Sequence, residues 1–156
     1  ARFGEIGMLV AGIISSLVGT LGFAFVFKLS PSKLWITGLC GVATYVLYEL
    51  TLRFGANELI AAFVASLSLA ILSELCARVF KTPTNVFLFT GCIPIVPGGA
   101  LYYTMYHLLS LNIDTAFDYL KVTGQIVFGV ALGLSLASVG FGLVLQAIDL
   151  VKQKAK

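Results

Sequence analysis

Long uncharged stretches alternate with short charged clusters along this chain. Residues 6–27 contain no charged side chain, and a helix of that length, at about 1.5 Å per residue, reaches about 33 Å, which is enough to cross a hydrocarbon core of about 30 Å. Further apolar stretches follow at residues 34–52, 58–80, 86–111 and 122–148. The pattern predicts an all-α fold, a polytopic membrane helix bundle of about five spans forming one transmembrane domain over residues 1–156.

The fourth stretch is interrupted in its middle, because two prolines and two glycines fall within residues 94–99. A proline lacks the amide donor and frees the carbonyl four residues earlier, here those of Thr90 and Ile93. Irregular backbone at membrane depth is tolerated only where protein or a water-filled cavity satisfies it. The sequence therefore predicts a fourth span that is broken at this point and lines a cavity.

The half-helix after the break is predicted to point its first amides, with the positive end of the helix dipole, into that cavity. The freed carbonyls before the break would face a cation or an ammonium group, so the two ends together suit a zwitterionic amino acid or a carboxylate. The candidate substrate-binding residues are Thr90, Pro94, Pro97, Gly98, Gly99 and Tyr102. The competing interpretation is a structural kink, with Tyr102, Tyr103 and Tyr106 forming an interfacial aromatic belt.

Acidic side chains within the spans are the second group of candidates. Glu49 and Glu74 each precede an arginine by four residues, a spacing that predicts ion pairs on one helix face. A carboxylate inside a span is also a candidate for proton coupling, and His107 titrates near neutral pH. We expect the proton-coupling group among Glu74, Glu49 and His107, with Glu74 the first choice.

The distribution of basic residues predicts the orientation of the chain, because cytoplasmic loops carry an excess of lysine and arginine. If the broken stretch crosses the membrane, one side holds seven basic residues, which are Lys28, Lys33, Arg78, Lys81, Lys152, Lys154 and Lys156, and the other side holds Arg2, Arg53 and Lys121. If the stretch re-enters instead, the split is five against five. The biased arrangement predicts an N-terminus outside and a C-terminus in the cytoplasm, with residues 112–121 as a polar connection or short surface helix.

Composition agrees with a lipid environment and excludes several functions. Apolar residues make up 59% of the chain and charged residues 11%, with a mean hydropathy of +1.02. The scattered basic residues form no face for nucleic acid. Cys40, Cys76 and Cys92 stand singly in apolar stretches, so we predict small buried side chains and no metal, cofactor or disulfide role. The spacing Gly129-x-x-x-Gly133, extended to Ala137, predicts a stripe for close helix packing.

The region of the break resembles the threonine/serine exporter family, and in particular its small second subunit. In that family the region reads as a Pro-x-x-Pro-Gly-x-x-x-Tyr element, matched here by Pro94, Pro97, Gly98 and Tyr102, with the similarity extending loosely over the whole chain. The resemblance implies a bacterial inner-membrane exporter of threonine and serine, or in some members of a dicarboxylate such as succinate. It also implies a larger partner subunit, with a homo-oligomer as the alternative.

Other functions stay open as alternatives. A non-transporting subunit would stabilise or gate a larger membrane complex through its small-residue stripes, and a channel could also use a broken helix. An intramembrane enzyme is disfavoured, because the chain has one histidine and no Gly-x-Ser-x-Gly sequence. The expected function is therefore a subunit of a secondary, proton-coupled exporter of a small amino acid.

Overall fold

The computed structural model describes the backbone of residues 2–154 and the side chains of residues 7–31 and 33–143. The described backbone is helical throughout, with six α-helices joined by short turns. They are α1 (Arg2–Val26), α2 (Pro31–Arg53), α3 (Glu58–Phe80), α4 (Thr84–Cys92), α5 (Gly98–Leu109) and α6 (Ile113–Lys154), with a 3₁₀ turn, Ile93–Ile95, between α4 and α5. Within these residues there is no strand.

Four of these helices, α1, α2, α3 and α6, are long and apolar enough to cross a membrane. The pair α4 and α5 passes the same test together and is bent by 47° at the break. The described residues therefore hold four candidate spans, or five if the bent pair counts as one. The expected all-α membrane bundle with a helix broken near residues 94–99 is confirmed.

Tight turns connect the helices, and local backbone chemistry explains where each helix stops. Lys28 and Lys81 adopt positive φ angles of 53° and 49° after α1 and α3, a conformation that cannot continue a right-handed helix. Gly55 does the same after α2 with φ of 84°. Pro31 opens α2 at a position where its missing amide costs nothing. Such short turns make neighbouring helices antiparallel.

The most extensive helix contact joins α3 and α6. A Cβ placed on Gly129 would overlap the carbonyl oxygen of Leu59 and stand 2.8 Å from Cβ of Ala62, and one on Gly133 would stand 2.8 Å from the carbonyl oxygen of Phe63. Only glycine permits this approach of two backbones. The predicted small-residue stripe is confirmed, and its surface is used inside the chain.

The helices α1 and α2 pack closely in the same way. Gly41 lies directly against the Thr20 side chain, and a Cβ on Gly38 would stand 3.0 Å from Leu17. Between α2 and α3, the sulfurs of Cys40 and Cys76 lie 3.9 Å apart as free thiols, so these two cysteines are neighbours across a helix interface although each stands alone in the sequence.

The expectation for residues 112–121 was wrong. Ile113–Lys154 is one helix of 42 residues, so the polar segment forms the first turns of α6 and is not a separate surface helix. Its acidic and basic side chains pair along the helix, with Lys121 Nζ 3.0 Å from Asp118 Oδ1, which allows a helix to continue through a polar stretch. The side chains of Lys152 and Lys154, and all of Lys156, lie outside the described residues.

Candidate functional site

The carbonyl groups at the break after α4 are hydrogen-bonded to amides of the same segment, contrary to expectation. The carbonyl of Thr90 accepts from the amide of Ile93, and the carbonyl of Ile93 accepts from the amide of Val96 at 3.3 Å. The chain tightens into a 3₁₀ turn, whose i to i+3 bonds reach the carbonyls that prolines 94 and 97 would otherwise orphan. The prediction of unpaired acceptors at Thr90 and Ile93 was therefore wrong.

The N-terminus of α5 keeps two unsatisfied amides. Gly98 donates to the carbonyl of Val96 at 2.7 Å, so its amide is already used. Among the described residues, the amides of Gly99 and Ala100 have no backbone acceptor. Gly98 and Gly99 are exposed, with no heavy atom within 4 Å of a Cβ placed on either. The predicted anion-binding end of α5 thus faces outward from the chain and not into a cavity of its own.

A cavity of about 210 Å³ lies on the other side of the break, between α1, α2 and the 3₁₀ turn. Its wall is mostly apolar but includes three hydroxyl-bearing residues, and we call it the polar cavity. It is lined by Gly12, Ser15 and Ser16 of α1, Tyr45 of α2, and Ile93 and Pro94. Ser16 is buried and Ser15 is exposed, so the cavity is open towards the side of Ser15. Its volume is several times the roughly 30 Å³ of a water molecule and below the roughly 300–1,000 Å³ of pockets for drug-sized ligands.

A second cavity at the break, of about 340 Å³, is apolar. Pro97 lines it together with Cys92 and Val96, and α6 closes it with Val127, Val130 and Ala131. This cavity offers almost no hydrogen-bonding group to a polar solute. The two faces of the break therefore differ, and only the face towards α1 and α2 suits a charged or hydroxylated ligand.

The structure does not bring the predicted site residues together. Pro94 lines the polar cavity and Pro97 the apolar one. Thr90 is fully buried, and its hydroxyl donates to the carbonyl of Val86 at 2.7 Å, so it binds its own helix. Tyr102 is 65% exposed and packs edge-on against Tyr103, on the outer surface of α5.

The predicted pairing of Glu49 with Arg53 does not form. Among the described side chains the ion pairs are Glu74–Arg78 and Asp118–Lys121. Glu49 Oε1 instead accepts a long hydrogen bond of 3.3 Å from the Tyr45 hydroxyl. Tyr45 lines the polar cavity, so Glu49 is linked to that cavity through one side chain.

The predicted Glu74–Arg78 pair is present at 2.9 Å. The second carboxylate oxygen of Glu74 accepts from the Thr84 hydroxyl at 2.9 Å, so this side chain joins the end of α3 to the start of α4. His107 lies in the last turn of α5 and stacks on Tyr119 of α6 with a ring-centroid separation of 5.5 Å. Neither residue lines a cavity at the break.

Sequence reasoning missed the polar residues of α1 and α2 that form the cavity. None of Ser15, Ser16 and Tyr45 stood out in the sequence as a candidate binding residue. A signal was present, because a tyrosine one turn before an intramembrane glutamate is a ready hydrogen-bond donor to it. The pattern does not show that α1 and α2 meet the break, since that contact joins residues far apart in sequence.

Four helices that are long and apolar enough to cross a membrane, or five with the bent pair, define a multi-pass membrane protein with one broken helix. The model of a protein family described as threonine/serine exporter, ThrE, matches residues 12–140. The chain belongs to the threonine/serine exporter family, a family of transporters and not of enzymes. No solved structure matches the chain.

Proposed function

We propose that this protein is a subunit of a secondary exporter that moves a small amino acid, threonine or serine, out of the cell at the expense of the proton gradient. The observation that carries the proposal is the polar cavity between α1, α2 and the broken helix. Membership of the exporter family supplies the class of solute. The residues that would hold the substrate are Ser15, Ser16 and Tyr45, with the break at Pro94 as the opposite wall.

The chemistry of the cavity suits a small hydroxylated amino acid. The Ser15 hydroxyl can donate to a carboxylate or accept from an ammonium or hydroxyl group. Ser16 donates to the carbonyl of Ile13 at 2.9 Å and Tyr45 donates to Glu49 at 3.3 Å, which leaves both oxygens as acceptors.

The bend at the break supports a crossing span over a re-entrant loop. A bend of 47° leaves α4 and α5 running on in broadly the same direction, whereas a re-entrant loop has to reverse the chain. With five crossings the two termini lie on opposite sides, and the distribution of basic residues favours an N-terminus outside and a C-terminus in the cytoplasm. We assign the protein to the bacterial inner membrane on this basis and on the family.

The exposed end of α5 supports a partner. Uncapped amides at Gly99 and Ala100 are costly against lipid, and the polar cavity is open beside Ser15. A second, oppositely oriented half would cover such surfaces, as in transporters built from inverted repeats. The proposed partner is a larger subunit of the same exporter family; a second copy of this chain is the alternative.

A dicarboxylate such as succinate is the second candidate substrate. The observation in its favour is the pair of free amides at the start of α5, which suits a carboxylate. A purely structural, non-transporting role has less support, because the Gly129 and Gly133 stripe packs against α3 within this chain and is not free for a partner.

The test is efflux of labelled threonine, serine and succinate from cells that express this chain with or without the product of its neighbouring gene, and with or without a proton uncoupler. We expect uncoupler-sensitive efflux of threonine or serine that requires both chains. Efflux of succinate alone would select the second candidate. No efflux in any combination would overturn the exporter proposal for this chain.

Two variants decide which cavity is the substrate site. Ser15→Leu fills the polar cavity and Ala131→Leu fills the apolar one. Both substitutions add a leucine side chain at an exposed position, so their effects on folding are comparable. We expect Ser15→Leu to abolish efflux at unchanged protein level and Ala131→Leu to retain it; the reverse result would place the substrate against α6.

A further inference from the structure

Three side chains were candidates for proton coupling, and the structure separates them by their contacts. Both carboxylate oxygens of Glu74 are held by Arg78 and Thr84. His107 stacks on Tyr119 and meets Tyr106 edge-on at the end of α5. Glu49 alone of the three touches a residue of the polar cavity. By these contacts, Glu49 is the candidate for the coupling group.

We propose that Glu49 binds the coupling proton and that Tyr45 transmits its protonation state to the substrate cavity. This inference rests on the proposed exporter function and names the groups that couple it to the proton gradient. Tyr45 lines the cavity and also contacts the carboxyl group, whereas Glu49 itself does not line the cavity.

The packing of Tyr45 holds its hydroxyl at the boundary between cavity and carboxylate. The tyrosine ring lies against Gly12 of α1, where any Cβ would overlap the hydroxyl and the ring carbon that bears it. The hydroxyl therefore lies in the interface between α1 and α2 and can reach Glu49 on one side and the cavity on the other. Its hydrogen bond to Glu49, at 3.3 Å, is longer than the usual 2.5–3.0 Å of an O–H···O bond and is readily exchanged.

Among the described residues, no charged group forms an ion pair with Glu49. On α2, Tyr45 precedes it by one turn and Arg53 follows it by one turn without forming an ion pair. On α3, the carboxylate of Glu58 accepts from Tyr48. From Gly7 onward α1 contributes no titratable side chain, and the 3₁₀ turn contributes only Ile93, Pro94 and Ile95.

Protonation of Glu49 changes the hydrogen bonds that the Tyr45 hydroxyl can form. The ionised carboxylate of Glu49 accepts the single hydroxyl proton of Tyr45, which leaves the tyrosine oxygen as an acceptor for the ammonium group of a substrate that enters from the cytoplasm. When Glu49 takes up a proton from the outer side, its new O–H donates to the tyrosine oxygen and competes with the substrate for that acceptor, so the substrate is released to the outside. Release of the proton to the cytoplasm restores the first state. Each cycle moves one proton from outside to inside and makes or breaks no covalent bond other than O–H.

The position of Glu49 along α2 agrees with this direction. It lies in the last turn of α2, near the connection to α3, which is the outer end in the proposed topology. A carboxyl group there has access to protons on the side from which they enter during export. Neutralising it also lowers the cost of moving it deeper into the membrane.

The test uses the complete exporter, with any partner chain it requires, reconstituted in vesicles. Two readouts are compared: counterflow of labelled threonine with equal pH on both sides, and threonine accumulation driven by an imposed pH gradient. For Glu49→Gln, whose amide oxygen still accepts from Tyr45, we expect counterflow to persist. Gradient-driven accumulation should be lost, because a carrier that binds no proton can only equilibrate threonine across the membrane.

Three further variants sharpen the result. Glu49→Asp keeps a titratable carboxyl and should recover part of the gradient-driven transport. Tyr45→Phe removes a hydroxyl of the cavity as well as the link to Glu49, so it should lower counterflow and abolish the pH dependence of the transport that remains. Glu74→Gln, which breaks the contacts with Arg78 and Thr84, should lower both readouts in proportion to folded protein.

The outcomes separate this inference from the proposed function. If the wild type shows neither counterflow nor accumulation of threonine or serine, the exporter proposal itself fails. If the wild type shows both and Glu49→Gln also shows both, only the role of Glu49 is overturned. If Glu49→Gln loses counterflow as well, Glu49 binds substrate and does not act as the coupling group.

Discussion

Most hydroxyl side chains buried in this bundle bind the carbonyl one turn earlier in their own helix. Thr44, for example, donates to the carbonyl of Cys40 at 2.8 Å, and Thr104 to that of Ala100 at 2.8 Å. Thr20 is different, because it is fully buried and its hydroxyl has no partner among the described residues. It lies against Gly41, one turn below Ser16 on α1.

The unpartnered hydroxyl predicts an unusual stability effect. Replacing Thr20 with Val removes a buried polar group that makes no hydrogen bond, so we expect the free energy of unfolding to rise by about 1 kcal/mol. The matched variant Thr44→Val removes a hydroxyl that is bonded and should lower it by about 0.5–1.5 kcal/mol. Thermal unfolding in detergent measures both. A Thr20→Val protein less stable than Thr44→Val would show that the Thr20 hydroxyl has a partner.

The helices of this chain approach one another through glycines, and α6 shows this most clearly. Gly129 and Gly133 allow the backbone of α6 to touch that of α3, whereas Gly140, two to three turns further on, has open space around it. Glycine therefore has a packing role at two positions of this helix and none at Gly140. Packing of this kind replaces the hydrophobic effect between helices in lipid.

The two kinds of glycine predict opposite responses to alanine. Alanine stabilises a helix interior by about 0.8–1.0 kcal/mol relative to glycine, and Gly140→Ala should show this gain. In Gly129→Ala the added methyl group overlaps the Leu59 carbonyl oxygen, a backbone atom that can move only with its helix, so we expect a net loss of about 1–3 kcal/mol. Unfolding in detergent compares the two variants. Equal effects would mean that α3 and α6 do not pack as described.

The topology of the whole molecule depends on whether the bent pair α4 and α5 crosses the membrane. The turns after α2 and α3 each stay on their own side of the membrane whether the bent pair crosses or re-enters. The turn between α5 and α6 lies outside if the pair crosses and inside if it re-enters. Ser110 is exposed in that turn and reports on the difference.

Single cysteines introduced into a cysteine-free variant test the topology by labelling with a membrane-impermeant maleimide. We expect Phe54→Cys and Ser110→Cys to react in intact cells, and Asn85→Cys to react only after permeabilisation. All three residues are exposed, so differences in labelling report the side of the membrane. Reaction of Ser110→Cys only after permeabilisation would show a re-entrant loop, and with it an even number of spans.

The spans, their order and the position of the break were predictable from local features of the sequence. Hydrophobic length defines a span wherever residues such as those of α3 form one long apolar stretch, and proline interrupts a helix by covalent structure alone. The Gly129 and Gly133 spacing is likewise a local pattern that predicts packing. The Glu74–Arg78 pair follows from a spacing of four residues.

The faces on which the helices meet, and therefore the position of the candidate site, depend on tertiary contacts that local sequence does not show. The helices are apolar on nearly all sides, so periodicity does not show which side of α1 or α2 faces the break. For the same reason Glu49 was paired with Arg53 on spacing, although the structure gives it Tyr45. A cavity formed by Ser16, Tyr45 and Pro94 depends on the rotation of each helix about its axis, and that rotation is set by contacts between residues far apart in the chain.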